Sequence, residues 1–205
     1  MNILEWKARL KQLQCYSAMK HSDSSLEIER LYLEFLKEEI KLGTNYPNYQ
    51  DDFKRYNLGN CYTYALGLPS FKSFIEQFTN LVADDIFPFN IGFMVRAHYY
   101  ENRELEKLLH NFYLDCDALG IQVYETHFQE SNVHGGYKIA FYVSYCRGVI
   151  NDFHFIRQNR DGVWSHKKGY FHDPQLTSFA PILENHYEYV KTFEIVKPVI
   201  LERKK

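Results

Sequence analysis

One cysteine and two histidines are the residues of this 205-residue chain that best fit a covalent reaction. Cys61 follows Gly-Asn in the string NLGNCYTYALG, where an apolar, helix-like stretch begins. A cysteine at a helix start lies beside backbone N–H groups and the positive end of the helix dipole, which favour a thiolate and can hold an oxyanion. Cys61 is therefore a candidate nucleophile. The competing interpretation is a small apolar residue packed in a core.

The two histidines belong to a predicted hairpin that runs from Asn151 to Lys168. The string NRDG is a turn signal, and Gly162 suits the left-handed position of a three-residue loop with a bulge. In that register Ile156 lies opposite His166. His154 and His166 are then diagonal neighbours on one face, about 7–8 Å apart at the backbone. A loop of two or four residues would send the two histidines to opposite faces.

These three side chains would supply a nucleophile, a base and an orienting group. His154 on a core strand can take the thiol proton, and His166 can orient that imidazole through its other ring nitrogen. Gln158 and Asp152 are alternative orienting groups, because strand alternation places them on the His154 face. A cysteine and two histidines could also bind zinc with one open coordination position, provided that all three converge.

This order of residues resembles the permuted papain-like arrangement of the NlpC-type cell-wall cysteine peptidases and their amidase and acyltransferase relatives. In that family a cysteine at a helix start is followed by a histidine on a strand and a third polar residue on the next strand. The two histidines are 12 positions apart, and Tyr49 precedes Cys61 by 12, near the place of a family tyrosine that helps to form the oxyanion site. The strings NCYTYA and DFHFIRQNRDGVWSHKKG also resemble segments of poorly characterised bacterial and phage proteins.

The resemblance covers residues 45–170 and implies a thiol hydrolase or acyltransferase, such as a cysteine peptidase or amidase, that acts on an amide or peptide bond. It implies Cys61, His154 and His166 as the catalytic residues. Tyr49, Asn60 and Gln158 would then serve the oxyanion or the substrate, and no cofactor is needed. The substrate would be a peptide, a protein or a peptidoglycan-like molecule. The chain departs from the family's D-C-S-G and G-H-V-G strings, since it has GNCY and NDFHF at those places.

Composition and charge limit the other classes of function. Hydrophobic residues make up 45% and charged residues 24%, which indicates a folded domain with a sizeable core. The formal net charge of −2 gives no basic footprint for nucleic acid. We find no signal-peptide pattern and no apolar run near the roughly twenty residues of a membrane span, and we expect a cytoplasmic protein. The four cysteines lack C-x-x-C spacing, which argues against a disulfide framework or a zinc ribbon.

The candidate site must be positioned by helices in the first part of the chain and strands in the second part. This order predicts an α+β fold with a mainly antiparallel sheet. The resemblance implies that its core is papain-like. Residues 1–44 are predicted as a helical pair, the second helix capped by Ser24 and stopped by Gly43, and residues 45–205 as the papain-like α+β domain. Further helices are predicted at Cys61, in FKSFIEQFTNLVADDIF and after an Asn102 cap. Strands are predicted in FNIGFMV, IQVYET, YKIAFYVSY, INDFHFIRQ, VWSHK and TFEIVKPVI, the later ones as a meander.

A second interpretation keeps the same fold without catalysis. The chain would then be a phage or bacterial binding protein that sequesters a partner with the same aromatic-rich α+β body and no working thiol; 17% of its residues are aromatic. The feature that separates the two interpretations is whether His154 faces Cys61 across a cleft or whether the space between them is filled core.

Overall fold

The computed structural model contains a six-stranded antiparallel sheet with helices against one face. It describes residues 22–41, 47–48, 59–70, 73–74, 90–95, 97, 103–179 and 186–198. The helices are α1 (Ser22–Lys41), α2 (Cys61–Leu66), a 3-10 helix (Phe93–Val95) and α3 (Leu105–Ala118). The strands are β1 (Gln122–Thr126), β2 (Tyr137–Cys146), β3 (Val149–Gln158), β4 (Trp164–His166), β5 (Gln175–Thr177) and β6 (Glu188–Val196). The predicted α+β class with a mainly antiparallel sheet is confirmed.

The central strands β2 and β3 bury side chains on both faces of the sheet. Strand alternation sends Phe141 and Phe155 into the large core on the helix side, which α1 joins through Leu31. Their neighbours Tyr142 and Ile156 point the other way, into a smaller cluster of buried residues with Trp164. The face of any β3 side chain therefore decides whether that side chain meets the helices or this second cluster.

The helix that begins at Cys61 is confirmed, and so is the buried stripe of the helix before it. The stripe consists of Leu31, Phe35, Leu36 and Ile40. α1 already begins at Ser22, so Ser24 lies inside its first turn and not at the predicted cap. The predicted helix stop at Gly43 lies outside the described residues, as do the first predicted helix and most of FKSFIEQFTNLVADDIF.

The predicted strand in FNIGFMV is wrong. Gly92 has a φ of +91° in a turn, and a 3-10 helix follows at Phe93–Val95. The backbone amides of Gly92 and Met94 donate to the carboxylate of Asp115 at 2.6 and 2.8 Å. Those amides are consequently used by a side chain of α3 and cannot join a strand ladder. α3 itself begins at Leu105 with Glu104 as its N-cap, so the predicted cap at Asn102, which lies outside the described residues, is wrong.

The strand order also differs from the predicted meander. The order is β1-β6-β2-β3-β4-β5, so that the last strand lies between the first and the second. β6 begins at Glu188, ahead of the predicted Thr192, and ends before Lys197-Pro198 because proline cannot donate to a ladder. The short β5 was not predicted. No helix in the described part of the chain is long and apolar enough to cross a membrane.

Candidate active site

The helix that carries Cys61 is fixed at both ends by local signals. Asn60 is the N-cap, and its side-chain oxygen accepts the backbone N–H groups of Tyr62 and Thr63, each at 3.0 Å. Gly67 closes the helix in the left-handed conformation with a φ of 63°. Cys61 is therefore the first residue of a six-residue helix, as the sequence predicts.

We expect that removing this cap destabilises the protein modestly. Asn60→Ala leaves the two N–H groups without their side-chain acceptor and should lower the free energy of unfolding by about 1 kcal/mol. Asn60→Ser is the matched control, because it keeps a capping oxygen and loses the same contact of the Asn60 amide nitrogen with Asn90. Urea denaturation measures both variants. Equal losses in the two would contradict the capping role.

The thiol of Cys61 lies against the edge of β3, beside the backbone of His154. Its sulfur is 3.8 Å from the carbonyl oxygen of Phe153, to which it donates, and the backbone amide of Phe155 acts to lower its pKa. β4 pairs with β3 only as far as the His166–Ile156 pair. The start of α2 thus takes the place that a longer β4 would occupy at this edge.

The predicted hairpin register is confirmed. Ile156 pairs with His166, the Asn159 amide donates to the Val163 carbonyl at 2.8 Å, and Gly162 has a positive φ of 83°. His154 and His166 accordingly share a face. Their ring nitrogens, Nε2 of His154 and Nδ1 of His166, are 3.0 Å apart. This hydrogen bond occupies Nε2 of His154, which leaves Nδ1, the nitrogen nearer the main chain, to meet a thiol.

The two histidines are in contact with each other. Among the described residues, Cys61 and His154 form no hydrogen bond with each other. Cys61 is 5% exposed and belongs to the core on the helix side of the sheet. His154 is in register with Tyr142, which belongs to the second cluster. The sulfur and the imidazole therefore lie at the same height along β3. The sulfur is at the strand edge, and the ring points to the face of the sheet that carries the second cluster.

Burial sets the charge state of all three groups. It raises the pKa of the Cys61 thiol to about 12, and the Asp152 carboxylate adds to that rise while nearby backbone amides oppose it. Burial also lowers the pKa of His154 to about 3, with the positive charges of His166 and Lys168 adding to the effect. The pKa of His166 falls to about 4, through burial and then Lys168. At neutral pH the site therefore rests as a protonated thiol and two neutral imidazoles.

The alternative orienting groups are engaged elsewhere. Asp152 accepts a hydrogen bond from the hydroxyl of Tyr187 and another, at 2.8 Å, from the amide of Phe153. Gln158 donates to the Gly162 carbonyl at 3.2 Å, inside the turn. Of the three predicted candidates, His166 is the one that contacts the His154 ring.

The remaining predicted site residues have other places. The Asn60 side chain caps α2, and its amide nitrogen donates to Asn90 at 3.1 Å, so its predicted role toward an oxyanion stays a prediction. Tyr49 lies outside the described residues. Zinc binding gains no support, because no three His, Cys, Asp or Glu side chains converge on a possible metal position in the described ranges.

Two residues at the site were not predicted from the sequence. The ring of Tyr187 packs on His154 with 5.8 Å between ring centroids. Lys167 follows His166 and is buried, and burial lowers its pKa to about 8. Its ammonium donates to the carbonyls of Gly169 and Tyr170 at 2.8 and 2.9 Å. The string SHKKG looks solvated in the sequence, and no pattern in it marks this burial.

Comparisons of the chain with protein-family models, with curated proteins and with solved structures found no match. The chemistry of the site has to be inferred from its own geometry.

Proposed function

We propose that this chain is a thiol hydrolase or acyltransferase with a papain-like core, acting on an amide bond of a peptide, a protein or a peptidoglycan-like substrate. The observation that carries the proposal is the 3.0 Å hydrogen bond between His154 and His166, formed level with the sulfur of Cys61. This geometry supports the proposal because the base and the orienting group share one face of the hairpin, and the nucleophile at the helix start lies at the edge of β3 beside the His154 backbone.

The reaction uses the thiol and one imidazole. Nδ1 of His154 takes the proton of Cys61 as the sulfur attacks the carbonyl carbon, and the carbon–nitrogen bond then breaks as the imidazolium returns that proton to the leaving amine. Water, or an acceptor amine in the transferase case, attacks the thioester and regenerates the thiol. His166 holds the His154 ring in one orientation throughout and stabilises the imidazolium when it forms.

The pKa values of Cys61 and His154 indicate that the thiol loses its proton only when a substrate is bound. A thiol whose pKa is raised to about 12 and an imidazole whose pKa is lowered to about 3 do not exchange a proton on their own. Proton transfer from Cys61 to His154 becomes favourable as the sulfur bonds to the carbonyl carbon, because the sulfur binds its proton less tightly as the new bond forms. The amides of Tyr62 and Cys61 at the helix start lie near the sulfur and favour negative charge there.

The test is the rate of Cys61 alkylation by iodoacetamide between pH 5 and 9, measured by mass spectrometry in the wild type and in His154→Ala. Cys116, also buried with a raised pKa, and Cys146, which is exposed, are internal controls. Burial alone would leave Cys61 as unreactive as Cys116. We expect Cys61 to react at least about tenfold faster in the wild type than in the variant at pH 7. The rate at Cys146 should be equal in the two proteins.

The competing function is a non-catalytic binding protein, and two observations favour it. The side chain of Asn60 already accepts the first free amides of α2, and the thiol is closed into the core. If Cys61 is as inert as Cys116, or reacts at the same rate without His154, the catalytic proposal fails. The exposed surface, which includes the aromatic rings of Tyr145, Phe171 and Tyr189, would then become the object of a partner search.

A further inference from the structure

A buried hydrogen-bond chain joins the helix of Cys61 to the strand of His166. Tyr64, one helical turn after Cys61, is fully buried, and its hydroxyl is 2.6 Å from the hydroxyl of Ser165. Ser165 is the residue before His166 and points to the helix face, whereas His166 points to the other face. The contact therefore connects the backbone that carries the nucleophile to the backbone that carries the orienting group.

The chain continues into the turn that sets the hairpin register. The Ser165 hydroxyl donates to the side-chain oxygen of Asn159 at 3.0 Å, and the Asn159 side-chain amide donates to the Val163 carbonyl at 2.9 Å. On the other side, the guanidinium of Arg157 lies 4.1 Å above the Tyr64 ring and donates to the Tyr64 carbonyl at 2.9 Å. The Tyr64 ring is thereby held from the strand as well as from the helix.

The elements that these contacts join are too short to fix one another by backbone pairing. β4 has three residues and pairs with β3 at three positions, and α2 has six residues. β4 also pairs with β5 at three positions, so that His166 is held at the end of two short ladders, and a helix of six residues has little stability of its own. A side-chain link is what the geometry supplies at this point.

We propose that Tyr64 and Ser165 are positioning residues, which hold the His154–His166 pair at the same height along β3 as Cys61. This inference rests on the proposed function for its kinetic consequence, but the position of the imidazole pair can be observed without catalysis. Without the Tyr64 hydroxyl, β4 can shift along or away from α2. The hydrogen bond between the two imidazoles then lengthens or breaks.

The test uses Tyr64→Phe, which removes the hydroxyl and keeps the ring under Arg157. The matched control is Tyr137→Phe, because the Tyr137 hydroxyl is also buried and donates to α2, at the Ala65 carbonyl, at 3.0 Å, without contacting β4. Nitrogen-15 NMR of the imidazoles reports the pair directly. We expect the His154 Nε2 and His166 Nδ1 signals to shift or broaden in Tyr64→Phe and in Ser165→Ala, and to stay in place in Tyr137→Phe.

The kinetic measurement is iodoacetamide labelling of Cys61 at pH 7, as a ratio to the labelling of Cys146. We expect this ratio to fall at least about fivefold in Tyr64→Phe and not in Tyr137→Phe, and to fall no further when Ser165→Ala is added, because both changes break one chain. Unchanged imidazole signals in Tyr64→Phe, or equal changes in both phenylalanine variants, overturn the positioning role. Wild-type labelling that does not depend on His154 overturns the function instead, and the NMR signals still decide the positioning.

Discussion

Replacing Asp115 by alanine is expected to lower the free energy of unfolding by about 3 kcal/mol. The carboxylate is fully buried in α3 and accepts three hydrogen bonds, from the amides of Gly92 and Met94 and, at 3.0 Å, from the hydroxyl of Tyr62. Truncation leaves three buried donors, each costing about 1–3 kcal/mol. Truncation also removes the cost of burying a charge, which partly offsets this loss. Desolvation raises the pKa of Asp115 to about 6, and that rise corresponds to a cost of about 3 kcal/mol.

Thermal and urea denaturation at pH 7.5 measure the loss. Asp117→Ala, on the same helix but exposed, is the control and should stay within about 0.5 kcal/mol of the wild type. Since Tyr62 directly follows Cys61, the variant also loosens the nucleophile helix, and the labelling rates of Cys61 and the buried Cys116 should both rise. An Asp115→Ala protein as stable as the wild type would mean that water replaces the carboxylate without cost.

The second large effect is a loss of stability in acid. His154 and His166 stay neutral in the folded protein because burial depresses their pKa to about 3 and about 4, whereas unfolded histidine has a pKa of about 6.5. Between those values the unfolded chain binds more protons, so stability is complete above pH 6.5 and falls as pH falls. From pH 7.5 to pH 5 the two histidines together should remove about 4 kcal/mol.

Asp115 acts in the opposite direction over the same range. Its folded pKa of about 6 is raised above the ordinary value of 3.8, so the folded state binds the additional proton and gains stability as pH falls. That gain is about 1 kcal/mol at pH 5, which leaves a net loss of about 3 kcal/mol. Urea denaturation at four pH values measures the slope. His154→Gln should remove about half of the histidine contribution, and the exposed His172→Gln should change nothing; a flat wild-type profile would contradict the burial of neutral imidazoles.

The histidine hairpin and the cysteine helix were predictable because local signals define both. The turn string NRDG fixes the register within a few residues, and with it the faces of His154 and His166. Asn60 and Gly67 define the short helix in the same way. Each signal acts between residues close in sequence, which is where turn and cap preferences carry most information.

The relation of Cys61 to His154 could not be predicted, since it depends on how α2 docks against β3. The sulfur contacts the carbonyl of Phe153, 92 positions away, at an edge that exists only because β4 stops at His166. The wrong strand in FNIGFMV has a similar cause, because the amides there are taken by Asp115 of a later helix. Tertiary contacts of this kind override a local β preference.

The position of β6 in the sheet has a consequence for synthesis on the ribosome. β6 pairs with β1 on one side and with β2 on the other, so β1 has no neighbour in the described sheet until Glu188–Val196 has left the exit tunnel. Until then the emerging chain presents the unpaired edge of β2, a ten-residue strand rich in aromatic and branched side chains. Completion of the sheet is thus a late event between distant segments, which makes folding slow and leaves a nascent strand that chaperones would bind.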